Sequence, residues 1–284
     1  LDPSPDYLMK EAQLLEATGD YETALARVSR AQILGGDYPD LWHLMAKLNH
    51  LQGNQKTALS EVNQALQMYP ESLSYYCTKG KIEWALNDTI KAINSFSKSM
   101  THPETRYESM KFLASIHRVN GDYSKSFEYL NRNLKHSPQD RDMLLEKGKL
   151  YLDVVQYDSA LMLFRRLQIM DTTDIEPLYQ AAQAHFHKRW YDSTLYYTQS
   201  ALRLDEHHLE SLLTEARVYD KRTYYGTSMR KYQQILEIDS TYQPAVEELT
   251  YLKGKVAYLQ KIKEDREANS KVDIISPTRP PIRD

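Results

Sequence analysis

The side chains best suited to chemistry are nine histidines and a single cysteine spread over 284 residues. A metal site needs donors that converge, which on a helix means residues three or four apart. His185 and His187 lie two apart and face different sides of a helix, while His43 and His50 lie two turns apart on one face, so neither pair chelates an ion by itself. Glu206, His207 and His208 are consecutive, a spacing that suits a solvated loop better than a ligand set. Cys77 has no second cysteine to pair with, and the sequence shows no positioned base that would make it a nucleophile. No Gly-x-Ser-x-Gly elbow and no phosphate-cradling glycine-rich loop occurs. These residues predict no enzyme, no cofactor and no metal.

Charge narrows the partners. Lys and Arg number 36 against 39 Asp and Glu, a net charge of -3, so the whole molecule exerts no broad pull on nucleic acid or an anionic membrane. With 41% hydrophobic and 26% charged residues the chain is rich enough in apolar side chains to fold. No apolar run approaches the roughly 18 residues of a membrane-spanning helix. Twenty-two tyrosines against 9 glycines and 11 prolines point to aromatic helix packing with few irregular loops.

The elements that must position these residues are set by a repeat. Small residues recur every 34 positions at Ala12, Ala46, Gly80, Ala114, Gly148, Ala182 and Ala216. A second series follows twelve places later, at Ala24, Ala58, Ala92, Ser126, Ala160, Thr194 and Ser228. Antiparallel helices joined by a short turn approach closely only where side chains are small, so each series marks one partner of a helix pair. Between them lie Gly19-Asp20-Tyr21, Gly53-Asn54-Gln55, Asn87-Asp88-Thr89 and Gly121-Asp122-Tyr123, with Tyr157, Tyr191 and Tyr225 continuing the register. Gly or Asn ends the first helix in the left-handed conformation and Asp or Asn caps the second.

This pattern resembles the tetratricopeptide repeat family, most closely in the second unit, where Trp42, Ala46, Gly53, Ala58, Val62, Ala65 and Pro70 fall at the family's offsets. The resemblance implies an all-α, right-handed superhelical solenoid of helix-turn-helix repeats. Its register gives an N-terminal tether at 1–4 and seven units at 5–38, 39–72, 73–106, 107–140, 141–174, 175–208 and 209–242. The late units depart from it: their third small position is Asn133, Leu167 or Ile235, and their closing proline is Thr172, Glu206 or Ser240. An amphipathic run through Val246, Leu249, Leu252, Val256, Leu259 and Ile262 predicts a capping helix over 243–268, followed by a proline-containing flexible tail at 269–284.

In the family the first helix of each repeat lines a concave groove, and its second, fifth, ninth, twelfth and thirteenth residues point inward. Carried over, the ninth position reads Gln13, Lys47, Lys81, Ser115, Lys149, Gln183 and Arg217, while the second is acidic in six of seven units. The acidic ladder also suits the helix N-termini on which it sits. The fifth and twelfth positions give His43, His50, Cys77, Trp84, Lys111 and Arg118 in units two to four, then Leu145, Leu152, Tyr179, Phe186 and Leu213. The two ladders occupy different turns of the helix, so the lysines are expected to lack internal partners. The expected partner-binding residues are His43, Lys47, His50, Lys81, Trp84, Lys111, Arg118, Lys149, Tyr179, Phe186 and Arg217.

The expected function is a non-enzymatic scaffold holding a protein or extended peptide with acidic residues and an apolar stretch. No small-molecule substrate is expected, and the alternative is a helical-repeat protein binding single-stranded RNA. The two-carboxylate clamp by which some family members hold chaperone C-termini is missing in its usual form, because Met9 and Gln13 stand at its first-unit positions. The chain starts at Leu1 rather than Met, and in its short tether it resembles processed bacterial envelope lipoproteins of secretion or outer-membrane assembly. The expected location is therefore the periplasm or outer membrane ahead of the cytoplasm, with or without a removed lipid anchor upstream.

Overall fold

The computed structural model describes residues 3–273, which are helical almost throughout and contain no strand. The helices are α1 (Pro5–Thr18), α2 (Tyr21–Ile33), α3 (Pro39–Leu51), α4 (Gln55–Met68), α5 (Leu73–Ala85), α6 (Thr89–Ser99), α7 (Arg106–Val119), α8 (Tyr123–His136), α9 (Arg141–Asp153), α10 (Tyr157–Met170), α11 (Ile175–His187), α12 (Tyr191–Leu204), α13 (Leu209–Lys221), α14 (Tyr225–Ile238) and α15 (Gln243–Asp273). Two compact units divide between Leu150 and Tyr151. The expected capping segment lies within α15, and residues 274–284 of the expected tail lie outside the described residues.

The local signals act as their chemistry demands. Ser4 accepts from the Tyr7 amide to cap α1, with Pro5 at the first helical position. Asp20, Asp88 and Asp122 cap α2, α6 and α8 by accepting from the amides of Thr23, Lys91 and Lys125. Each first helix ends on a left-handed residue at the same place in the repeat: Gly19, Gly53, Asn87 and Gly121, then Val155, Arg189 and Thr223, all with φ between 59° and 84°. The last three carry no glycine or asparagine signal. Their backbones take the turn because helix packing on both sides dictates it, against the Cβ strain of that conformation.

In the first unit the small positions form the pair contacts. Ala12, Ala24, Ala46, Ala58 and Ala92 are fully buried, and Gly80 sits against the Phe96 ring, which a Cβ would approach to 2.8 Å. Leu8, Val28, Leu41 and Leu48 make one core, and Cys77, Phe96, Leu113 and Ile116 make another further along. First helices also touch successive first helices, α1 on α3, α3 on α5 and α5 on α7. The second unit repeats this order, with α11 on α13 and α13 on α15, and its core joins Leu212, Ala216, Tyr232, Ile235, Leu249 and Leu252.

Candidate functional site

Because first helices lie side by side, residues at equal places in the repeat line a common surface. In the first unit an open recess of ≈ 600 Å³ is lined by Asp6, Met9 and Gln13 of α1 and by Asp40, His43 and Lys47 of α3, which are the second, fifth and ninth residues of each helix. Lys10, Tyr38 and Leu44 complete it.

Several polar contacts across this surface share one offset. Cys77 with Glu108, Lys111 with Asp142 and Ser115 with Glu146 are each 31 residues apart, one repeat less about one helical turn. The second unit has the same step in Gln183 with Thr214 at 2.8 Å and Arg217 with Glu248 at 2.9 Å. Neighbouring parallel helices are staggered by a turn, so the ninth residue of one meets the sixth of the next, and the fifth meets the second.

This stagger corrects the expectation that the lysines lack partners. Lys47 pairs with Glu16 at 2.8 Å, Lys81 with Glu108 at 2.5 Å and Lys111 with Asp142. Glu146 takes both Arg118, at 3.7 Å, and Lys149, at 3.8 Å. The two ladders do sit on different turns of one helix and meet in Lys81 with Glu108; the partners Glu16 and Glu146 lie outside the acidic ladder, and Asp142 takes Lys111 from the fifth place.

The aromatic residues and histidines separate. His43 meets the Thr78 hydroxyl through Nε2 at 2.8 Å and packs on the Tyr75 ring at 4.4 Å. Burial, with the adjacent Lys47 charge, lowers its pKa to about 4, so it is neutral at pH 7. His50 turns away to α4, where Nδ1 donates to Gln55 Oε1 at 2.6 Å and the Gln55 amide donates back to the His50 carbonyl. Trp84 is half-buried against the core that holds Cys77 and Phe96. The Cys77 thiol is pushed up to about 11 by burial, with Glu108 adding to the shift, which leaves it unreactive at neutral pH.

In the second unit Tyr179 lies edge-on to the His208 ring at 5.5 Å, and burial together with Glu210 raises its hydroxyl to about 12. Phe186 and Arg217 line a recess of ≈ 340 Å³ with Asp220, Lys221, Tyr232, Glu248, Tyr251 and Leu252. Arg217 grips Glu248 through two nitrogens, and the Tyr232 hydroxyl donates to the same carboxylate at 2.7 Å. Glu248, Tyr232 and Tyr251 were not legible as site residues. Glu248 lies in what reads as a cap, and its only signal is the 31-residue offset from Arg217.

The histidine pair at 207 and 208 has a local explanation. His208 Nδ1 accepts from the Ser211 amide at 3.3 Å and so caps α13. Among the described residues no group of three or more His, Cys, Asp or Glu is placed to hold a metal ion, and no helix is long and apolar enough to cross a membrane.

No protein-family model and no curated protein matches the chain. Solved structures do. A tetratricopeptide repeat protein from Parabacteroides merdae superposes with a TM-score of 0.71 at 13% identity, covering 88% of this chain and 98% of that one. PilW, a widely conserved type IV pilus biogenesis factor, gives 0.68 at 18% identity over 75% of this chain and 99% of its own. Yeast Tom70 gives 0.63 at 14% identity, with 95% of this chain covering 58% of Tom70. At these identities the likeness establishes the fold: an all-α tandem array of tetratricopeptide-type helix pairs, as the spacing of small residues predicts.

Proposed function

We propose that this tetratricopeptide-repeat array is a non-enzymatic scaffold that holds an extended segment of a partner protein on the face formed by its first helices. The observation that carries this reading is the open recess in which the second, fifth and ninth residues of α1 and α3 converge, with Asp6, Lys10 and Gln13 exposed along it. Such a surface offers length and alternating charge rather than an enclosed pocket, which suits a peptide better than a small substrate.

The lysines enter this reading in modified form. Lys47, Lys81 and Lys111 are paired but remain partly exposed, and each ammonium has three protons of which a carboxylate uses only some. An acidic segment crossing units two to four shares these ammonium groups with Glu16, Glu108 and Asp142, which fixes its register more than its affinity. In the second unit the Phe186 and Tyr251 recess takes an apolar side chain, with Tyr179 and Arg217 as further proposed contacts, and Lys149 is a proposed contact in the first unit. The setting we propose is an assembly complex of the bacterial envelope, supported by the likeness to the pilus biogenesis factor PilW.

The test is a photo-reactive phenylalanine analogue at Gln13, an exposed recess residue, in cells. Expected is a protein adduct that Lys47→Glu with Lys81→Glu diminishes and that co-fractionates with the envelope. An adduct with RNA in place of protein, with binding falling steeply between two salt concentrations, overturns the reading in favour of RNA.

A further inference from the structure

Many cations of the first unit are held by carboxylates, among them Arg27 by Glu11, Lys47 by Glu16, Lys81 by Glu108 and Lys111 by Asp142. One recess departs from this. Between the first turn of α7 and the last turn of α8 an open space of ≈ 330 Å³ is lined by Arg106, Tyr107, Met110, Arg132, Lys135 and His136, four basic residues and no acidic one. The acidic residues nearest along the chain do not neutralise it. Glu108 takes Lys81 and Asp140 accepts from the Met143 amide at 3.0 Å, while Glu104 and Glu128 are exposed and pair with none of the four. Arg132 and Lys135 stand exposed, with no ion pair or hydrogen bond among the described residues.

Helix electrostatics accounts for only part of this cluster. Lys135 and His136 lie in the last turn of α8, where the macrodipole favours a cation, but Arg106 opens α7, where the macrodipole opposes one. Arg132, Lys135 and His136 are three and four apart on one helix face, so their charges also repel one another. Internal contacts nevertheless hold the groups in place. Buried Asn133 donates to the Tyr107 carbonyl at 3.1 Å, which ties the end of α8 to the start of α7. Arg106 Nε donates to the Met100 carbonyl at 3.4 Å, leaving the two terminal nitrogens with four N–H groups to give. The His136 ring stacks on Tyr107 at 4.3 Å, and in either protonation state it keeps an N–H to donate.

We propose that this recess binds a dianionic phosphate, either inorganic phosphate or the phosphoryl group of a phosphomonoester. A tetrahedral phosphoryl group presents three acceptor oxygens, and two guanidinium forks, an ammonium and an imidazole N–H supply donors to them from two helices. A carboxylate, with two oxygens and one charge, leaves part of that set unused. The volume lies at the lower end of the range for small-ligand sites, which suits a phosphate or a small phosphomonoester. Neither Lys111 nor any residue of the α1 and α3 recess lines this space, so the site holds whether or not an extended segment binds the first-helix face.

The test is calorimetric titration of the full chain at constant ionic strength and about pH 8, where phosphomonoesters are dianions. The probes are inorganic phosphate, phenyl phosphate and the monoanionic diester methyl phenyl phosphate. At least one dianion is expected to saturate the site, with the diester about tenfold weaker or more. Arg132→Ala with Lys135→Ala is expected to weaken the dianion about tenfold or more and to keep the parent's circular dichroism, because both side chains are exposed and unpaired. Lys56→Gln with Lys253→Gln removes the same charge outside this recess and is expected to bind like the parent. Tighter binding of phenyl phosphate than of inorganic phosphate assigns the site to a phosphoryl group on an organic carrier, and the reverse or equality assigns it to free phosphate. The proposal is overturned if neither dianion saturates, if the diester binds equally, if the Arg132 and Lys135 variant binds like the parent, or if the Lys56 and Lys253 variant loses as much.

Discussion

The Ser126 hydroxyl donates to the Ala114 carbonyl at 2.8 Å, twelve residues back across the helix pair, and Ser228 does the same to Ala216 at 2.8 Å three repeats later. Side chains of this size let the two backbones meet, and the hydroxyl then satisfies a main-chain acceptor that is otherwise buried within the pair. A bulky residue at either place separates the helices. Ala46→Leu and Ala58→Leu are accordingly expected to lower stability by about 1 to 3 kcal/mol each. Gly80→Ala is expected to follow them despite the better helix propensity of alanine, because its Cβ meets the fully buried Phe96 ring, which is stacked on Phe112 and has little room to move. Urea denaturation midpoints check all three.

The left-handed turns give the opposite sign. Val155 and Thr223 hold φ of 62° and 66°, where a β-branched side chain is strained, while the same place is glycine in three other repeats. Val155→Gly and Thr223→Gly are each expected to stabilise by about 1 kcal/mol, less what glycine loses through its freer unfolded chain. At Gly53, with φ of 83° and open space around it, alanine is expected to destabilise through the backbone alone. Differential denaturation with unchanged urea dependence checks the set.

These two groups show how far the sequence carries. The small-residue series is legible because helix-pair contact leaves one chemical requirement at one spacing, and it holds in every repeat. The turn is legible in the first four repeats, where Gly19, Gly53, Asn87 and Gly121 name the conformation, and silent in the rest, where packing imposes it on Val155, Arg189 and Thr223. The ion pairs are hidden for a different reason. A helical wheel places Lys111 and Asp142 within their own helices but says nothing of the one-turn stagger between neighbours, and that stagger brings them together. The tie of His50 to Gln55 is hidden likewise, since it depends on where α4 begins.

Acid should test His43. Its pKa falls to about 4 in the folded chain, chiefly through burial, against 6.5 as the ordinary value. The unfolded chain therefore binds more protons between these values, so the stability His43 contributes is present above pH 6.5 and is lost as pH falls towards 4. His117 and His185 are lowered in the same direction by burial, so only a difference between proteins isolates one of them. His43→Gln, which retains a polar partner for Thr78, is expected to show a shallower loss of stability between pH 6.5 and pH 4 than the parent. Denaturation series at several pH values read the difference, and parallel curves would remove His43 as a titrating group.

Charge reversal separates what Lys81 does for the fold from what it does for a ligand. Lys81→Glu alone sets a carboxylate against Glu108, and because the present pair is partly exposed the cost is expected to be about 1 kcal/mol or less. Adding Glu108→Lys restores an ion pair of the same residues in reverse, so stability should return to within a few tenths of a kcal/mol of the parent, roughly the additivity error of such cycles. An acidic segment bound over units two to four meets a different surface in the swapped protein, since the ammonium now stands on α7 rather than α5. Its affinity is expected to stay reduced and its salt dependence to remain flattened although the fold has recovered. A swap that restores stability and binding together would show that Lys81 serves the helix seam alone, and the ligand would then have to be sought at the α1 and α3 recess.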